Sequence, residues 1–229
     1  MEARKGRGGS ANDARVRVAT CRSTLTSSFG GLPRTLLLLL VLGAISCESD
    51  GGPDVDPNAP VRFPLDSWSV SQHFGVWNNS AGGYHLAEDA RASGGARVYA
   101  MADGVVGGIF AAPDVQGYGA VMMIEHEIDG EFVTSLYGHV SARRGFAVSE
   151  GEVVTKGQLI AYVADDDEDG GPWLPHLHFG IRRGRYDIDA RICGLWLYVG
   201  YTRACEGVSH EEHCAFWHDP TNFIRSHGG

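Results

Sequence analysis

Glycine limits this chain more than any other feature. It supplies 32 of 229 residues, about twice the usual ~7 %. From residue 61 onward it cuts the apolar sequence into short runs. A helix interior loses roughly 1 kcal/mol for each glycine set in place of alanine, so this pattern calls for turns and short strands. Runs at 97–100, 104–110, 120–127, 132–138, 153–155, 159–164 and 176–182 carry strand-forming residues. Asp103-Gly104, Asp129-Gly130, Glu150-Gly151 and Lys156-Gly157 supply turn signals between them. Asp129-Gly130, set between 122–128 and 132–136, predicts a hairpin. Extended helical periodicity is missing, and no repeat of fixed period is present. The reading is an all-β chain, with antiparallel strands wrapped around one core.

The N-terminal region belongs to targeting and stands outside the fold argument. Residues 1–33 are polar and arginine-rich. An apolar run of about a dozen residues follows, from Leu36 to Ser46, and then Cys47. That length suits a signal-peptide core and falls short of the ~20 residues of a membrane span. Ala44-Ile45-Ser46-Cys47 resembles a bacterial lipoprotein signal, although Ala44 stands where leucine is usual. An ordinary secretory signal is the alternative. Residues 1–47 are thus read as the signal region with a lipoprotein-like cleavage site, and the true start codon is left open within it. The expected location is the bacterial cell envelope, periplasm or outer membrane, with secretion as the alternative.

Residues 48–60, rich in acids, glycine and proline, read as a flexible linker. The folded domain is expected over 61–184 and a C-terminal extension packed on it over 185–229. The extension is aromatic (Trp196, Tyr198, Tyr201, Phe216, Trp217) and too short to bury much alone. Export would remove Cys21 and lipidate Cys47, leaving Cys193, Cys205 and Cys214 in an oxidising compartment. One disulfide and one leftover thiol are expected, with the pairing open. A second zinc site formed with His210, His213 or His218 is disfavoured, because no Cys-x-x-Cys spacing occurs there. Hydrophobic residues at 43 % and charged residues at 21 % describe a globular chain. A net charge of −9 argues against nucleic acid or an anionic membrane surface as partner.

Chemistry concentrates in three places. Pro175-His176-Leu177-His178-Phe179 sets two histidines one residue apart; on a strand both imidazoles share a face. Gly83-Tyr84-His85-Leu86-Ala87-Glu88-Asp89 adds an imidazole and a carboxylate four residues apart. Leu136-Tyr137-Gly138-His139 puts a fourth histidine at a strand end. A hydrolytic zinc needs three ligands from His, Asp or Glu and an open water position. The other two residues would handle protons and stabilise the transition state. Spacing alone selects these five and does not separate ligands from catalysts.

His-x-x-x-Asp, then Tyr-Gly-His, then His-Leu-His-Phe, in this order, resembles the lysostaphin-type (LytM-type) zinc endopeptidases of peptidoglycan. Val70-Ser71-Gln72-His73-Phe74-Gly75 is similar to the family's opening strand, and residues 98–106 to the strand after the first ligands. Gly117-Tyr118-Gly119, Ile124-Glu125-His126 and residues 151–158 extend the likeness over about 62–183. The resemblance implies a single antiparallel β-sheet or sandwich domain (a duplicated hybrid motif) with a small cysteine-containing C-terminal extension. It implies Zn2+ as cofactor, His85, Asp89 and His178 as ligands, and His139 and His176 as catalytic histidines, without saying which is the base. It implies stem peptides or cross-bridges of peptidoglycan as partners. A monomer is expected, meeting the membrane only through a lipid on Cys47.

Two departures stand out. Ala87 replaces the family's usual glycine, which matters only if φ is positive there. Residues 165–174, opening with an acidic run at 165–169, replace a short Gly/Ser/Thr loop; the run reads as a solvated loop, with attraction of cross-link amines as a second reading. His73 and His126 read as structural or edge residues and His210, His213, His218 and His227 as exposed; Glu88 is either a partner to a ligand or solvent-facing. The alternative function is a non-catalytic module that binds peptidoglycan or activates an amidase. A cupin-type oxygenase is set aside, since no acid follows His178 before Asp187. Which cross-link is cut, and whether in the cell's own wall or a neighbour's, is open from sequence.

Overall fold

The computed structural model describes residues 56, 58–111, 119–168, 171 and 173–229. The signal region with Cys21 and Cys47, the linker through residue 55, and Gly117, Tyr118, Asp169, Gly170 and Pro172 lie outside them. The strands run in order β1 (Val70–Gln72), β2 (Trp77–Asn78), β3 (Gly83–Tyr84), β4 (Glu88–Arg91), β5 (Arg97–Tyr99), β6 (Gly104–Ala111) and β7 (Ala120–Ile128). Next come β8 (Glu131–Gly138), β9 (Val153–Val154), β10 (Leu159–Tyr162) and β11 (His176–Arg183). The extension adds β12 (Arg191–Ile192), β13 (Leu195–Trp196), α1 (His210–Cys214), β14 (Trp217–His218) and α2 (Pro220–Ser226).

One antiparallel sheet organises the domain, in the order β1-β4-β11-β8-β7-β6-β9. β4 pairs with residues 176–179 of β11; where it stops, β14 pairs with Ile181 and Arg182. The β7–β8 hairpin turns at Asp129 and Gly130, both with positive φ (51° and 83°), as a two-residue turn matched to strand twist demands. The expected strands all form, ending within one or two residues of their predicted limits.

The period of two sorts side chains onto two faces. Leu177, Phe179 and Ile181 of β11 point inward with Ala90, Met122, Ile124, Val133 and Tyr137. The β5–β10 pair covers this core with Val98, Ile160 and Ala161, and α2 adds Phe223 and Ile224. The opposite face carries Val121, Met123 and Leu136, covered by Ile192, Leu197, Tyr198 and Trp217 of the extension. Packing is tight at Gly180: a Cβ there would lie 3.0 Å from the Trp217 ring and 3.1 Å from the Leu86 carbonyl oxygen, so a neighbour would have to give way. Cys193 and Cys205 form a disulfide and Cys214 is free.

The C-terminal histidines correct an expectation of exposure. His213 is fully buried and its Nδ1 accepts from the Arg203 amide, while His210, His218 and His227 are half-buried. The extension folds its helices and β14 against the sheet, which covers them. His126 is a core residue: Nδ1 donates to the Asp103 carbonyl (2.8 Å) and Nε2 accepts from the Ser135 hydroxyl (2.7 Å).

Burial pushes the His126 imidazole down from 6.5 to about 4, against the opposing pull of the Asp103 carbonyl. The unfolded chain therefore takes up this proton near pH 6.5 and the native state only near pH 4. The stability it contributes is complete above pH 6.5 and is lost as pH falls through 4. Thermal melts between these values should fall more steeply for wild type than for His126→Gln; parallel slopes would refute this assignment.

Candidate metal centre

The register of β11 builds the centre. His178 stands opposite Asp89 of β4 on one side and Gly138 of β8 on the other. Asp89 supplies a carboxylate across the ladder, and Gly138 has no side chain to crowd the imidazole. His85, three residues before β4, reaches the same point. Its ring is buried, like that of His178, and Asp89 is 9 % exposed. Among the described residues, these three form the one group of His, Cys, Asp or Glu donors close enough to share an ion. Cys214 and the C-terminal histidines form no such group.

Three donor atoms close a triangle. His85 Nε2 lies 3.1 Å from His178 Nδ1 and 3.2 Å from Asp89 Oδ1, and His178 Nδ1 lies 3.0 Å from Asp89 Oδ1. A tetrahedral ion with bonds of about 2.05 Å has edges of about 3.3 Å, so the triangle fits one tetrahedral face. The protonation pattern agrees. His85 Nδ1 lies 3.2 Å from the His73 carbonyl oxygen, which can only accept. Nδ1 thus carries the hydrogen, and Nε2 turns a lone pair inward. Burial pushes His178 down to about 3, despite the pull of Asp89, so its ring is neutral at neutral pH. A carboxylate oxygen and two imidazole nitrogens turned toward one point have one partner that suits all three, a cation. The donor set fits a metal.

The remaining two histidines stand beside the triangle. His176, on the same face of β11 as His178, has Nε2 3.6 Å from Asp89 Oδ1, while Nδ1 donates to the Leu174 carbonyl (2.9 Å). His139 follows β8 with φ of 56°, a left-handed conformation that costs a non-glycine residue roughly 1 kcal/mol or more. That turn aims its ring at the centre, with centroids 4.3 Å from His176, 6.1 Å from His178 and 5.3 Å from Trp173. All five residues singled out from sequence are therefore neighbours in space.

Several contributors were not legible beforehand. Tyr201, from the extension, stacks on His85 at 5.3 Å, and its hydroxyl accepts from Gln72 and Asn78. The bridge between His85 and Tyr201, and the Leu86 amide donating to Gly200, hold that segment along the ligand strand. His73, read as a structural or edge residue, contributes its backbone carbonyl to His85. Glu88 faces away from the triangle, buried, and accepts from the Thr221 amide and hydroxyl at the start of α2. Ala87 has no positive φ, so its methyl group is tolerated. Three acids of the 165–169 run are held by neighbours: Asp165 pairs with Arg144, Asp167 with Arg143, and Glu168 accepts from Ser141.

Residues 83–190 match the family model described as Peptidase family M23. This segment, just under half of the chain, is similar to M23 peptidase domains. The murein hydrolase activator EnvC of Escherichia coli (strain K12) is 42 % identical over 92 residues, 40 % of this chain and 19 % of that protein. The solution structure of lysostaphin superposes with a TM-score of 0.50 at 18 % identity, over 75 % of this chain and 56 % of lysostaphin; this is a likeness of fold. LytU superposes with a TM-score of 0.48 at 24 % identity, over 71 % of this chain and 88 % of LytU. The chain thus spans about a fifth of EnvC and just over half of lysostaphin.

Adjacent carboxylates on opposite faces of β4 give a test of this centre. Asp89→Ala should abolish stoichiometric divalent metal after dialysis, read by elemental analysis, while Glu88→Gln retains it. Equal metal content in the two variants would exclude the triangle as the binding site.

Proposed function

We propose that this chain is an exported zinc endopeptidase that hydrolyses peptide cross-links of bacterial peptidoglycan. The observation that carries the reading is a closed donor triangle with two further histidines beside it, one of them held in a strained backbone conformation. Two imidazoles and a carboxylate suit zinc with a fourth position open. When bound, zinc would supply Lewis acidity and a water acidified toward neutral pH. The other tasks fall to the chain. His176 takes a proton at Nε2, because its Nδ1–H is committed to the Leu174 carbonyl and keeps the ring oriented. His139, packed against His176, donates to the oxyanion developing at the scissile carbonyl. A cavity of about 690 Å³, bordered by Asp89 and His176, leads away from the centre and offers room for an extended peptide.

Similarity to a murein hydrolase activator supports peptidoglycan as the material acted on. The same similarity favours a second reading, a non-catalytic module that binds peptidoglycan or activates an amidase. Digestion of purified peptidoglycan, with released fragments identified by mass spectrometry, separates the two. His176→Ala should keep its zinc and lose about 10²–10⁴-fold in rate, whereas His85→Ala should lose both. Equal activity in wild type and His85→Ala, or none in either, favours the module.

Export and a lipid on Cys47 belong to the same proposal, supported by the apolar run that ends at this cysteine. Labelled fatty acid fed to cells should enter the wild-type protein and not Cys47→Ala. Label in both would place the lipid elsewhere.

A further inference from the structure

We propose that Arg91 forms a carboxylate-recognition subsite in the cleft beside the metal centre, selecting cross-linked peptides whose side carboxyls are free. The inference deepens the endopeptidase reading and rests on it for the identity of the ligand. Its basis is positional. Asp89 and Arg91 are two apart on β4, so their side chains leave the same face of the sheet. One strand repeat of about 7 Å separates them. Arg91 also stands directly across the ladder from His176. Arg91, Asp89 and His176 all border the 690 Å³ cavity.

Charge sets Arg91 apart. Arg143 and Arg144 are committed to Asp167 and Asp165, and Asp89 belongs to the donor triangle. Arg91 is exposed, and no carboxylate among the described residues pairs with its guanidinium. In a chain of net charge −9, an unneutralised cation on the cleft wall selects anions locally while the overall field does not. The guanidinium presents a planar fork that matches a carboxylate in bidentate geometry. Leu174, 83 % exposed, and Trp173, 37 % exposed, form an apolar lip on the same cavity. A cation on one wall and an apolar lip on another suit a peptide that alternates small apolar side chains with free carboxyls. With an extended chain advancing about 3.3 Å per residue, the recognised carboxylate lies about two residues from the bond that is cut.

The test uses cross-linked muropeptide dimers with free carboxyls and the same dimers after carbodiimide-mediated amidation. Wild type should cleave the free form with a KM about five- to tenfold lower than the amidated form, a preference that weakens with added salt. Arg91→Gln should abolish the preference with kcat unchanged, and Arg91→Lys should restore part of it. Equal KM for the two dimers in wild type, or a preference surviving in Arg91→Gln, overturns the subsite. If wild type cleaves neither dimer, titration of binding decides: a preference for the free form that Arg91→Gln loses upholds the subsite while the endopeptidase reading fails. No preference in binding overturns the subsite as well.

Discussion

The structure depends on the pairing of β11 between β4 and β8. In this register His178 lies opposite Asp89 and Gly138, and Leu177, Phe179 and Ile181 fill the core. A slip of one residue would turn every side chain of β11 to the other face. The two imidazoles would enter an apolar core without partners, and three large hydrophobic side chains would meet solvent. Burial of those three, worth about 1.5–3 kcal/mol each, therefore sets the position of the metal-binding face. The T-shaped contact of Phe179 with Trp68 and its packing against Tyr137 hold the strand from the core side.

The extension completes the same face. Trp217 lies over Gly180, and Tyr198 and Leu197 cover the strands beneath. Tyr201 then continues this cover up to the His85 ring. On the opposite face Glu88 binds the first turn of α2, where the amide of Thr221 and the positive end of the helix both favour a carboxylate. Neighbouring acids on β4 thus serve different ends: Glu88 fastens the C-terminus and Asp89 serves the centre. The Cys193–Cys205 disulfide closes the segment that carries Tyr201, restricting the unfolded chain.

Charge around the cleft is arranged by local pairing. The acids at 165, 167 and 168 are drawn onto Arg144, Arg143 and Ser141, while Asp166 and Asp167 remain exposed to solvent. Exposed pairs of this kind contribute at most about 1 kcal/mol each, yet they decide which charges remain available to a ligand. Arg91 is left as the cation facing the cavity.

Strand positions were legible because turn chemistry and period-two patterning act locally; Asp129-Gly130 and the seven expected runs show this. The five chemical side chains were legible for the same reason, as motifs with their own spacing. β4 was not, since Glu88-Asp89-Ala90-Arg91 has no residue type that favours strands and its two acids belong to sites. The burial of His213, the partner of Cys193, and the roles of Tyr201 and Arg91 were also out of reach. Each depends on which segments meet across the sheet, with separations such as 93 residues between His85 and His178. The amino-acid order by itself determined the strands, their turns and the chemistry on offer. Only the tertiary structure decided which donors converge and which charges are left unpaired, because those outcomes follow from long-range register and packing and not from any local propensity.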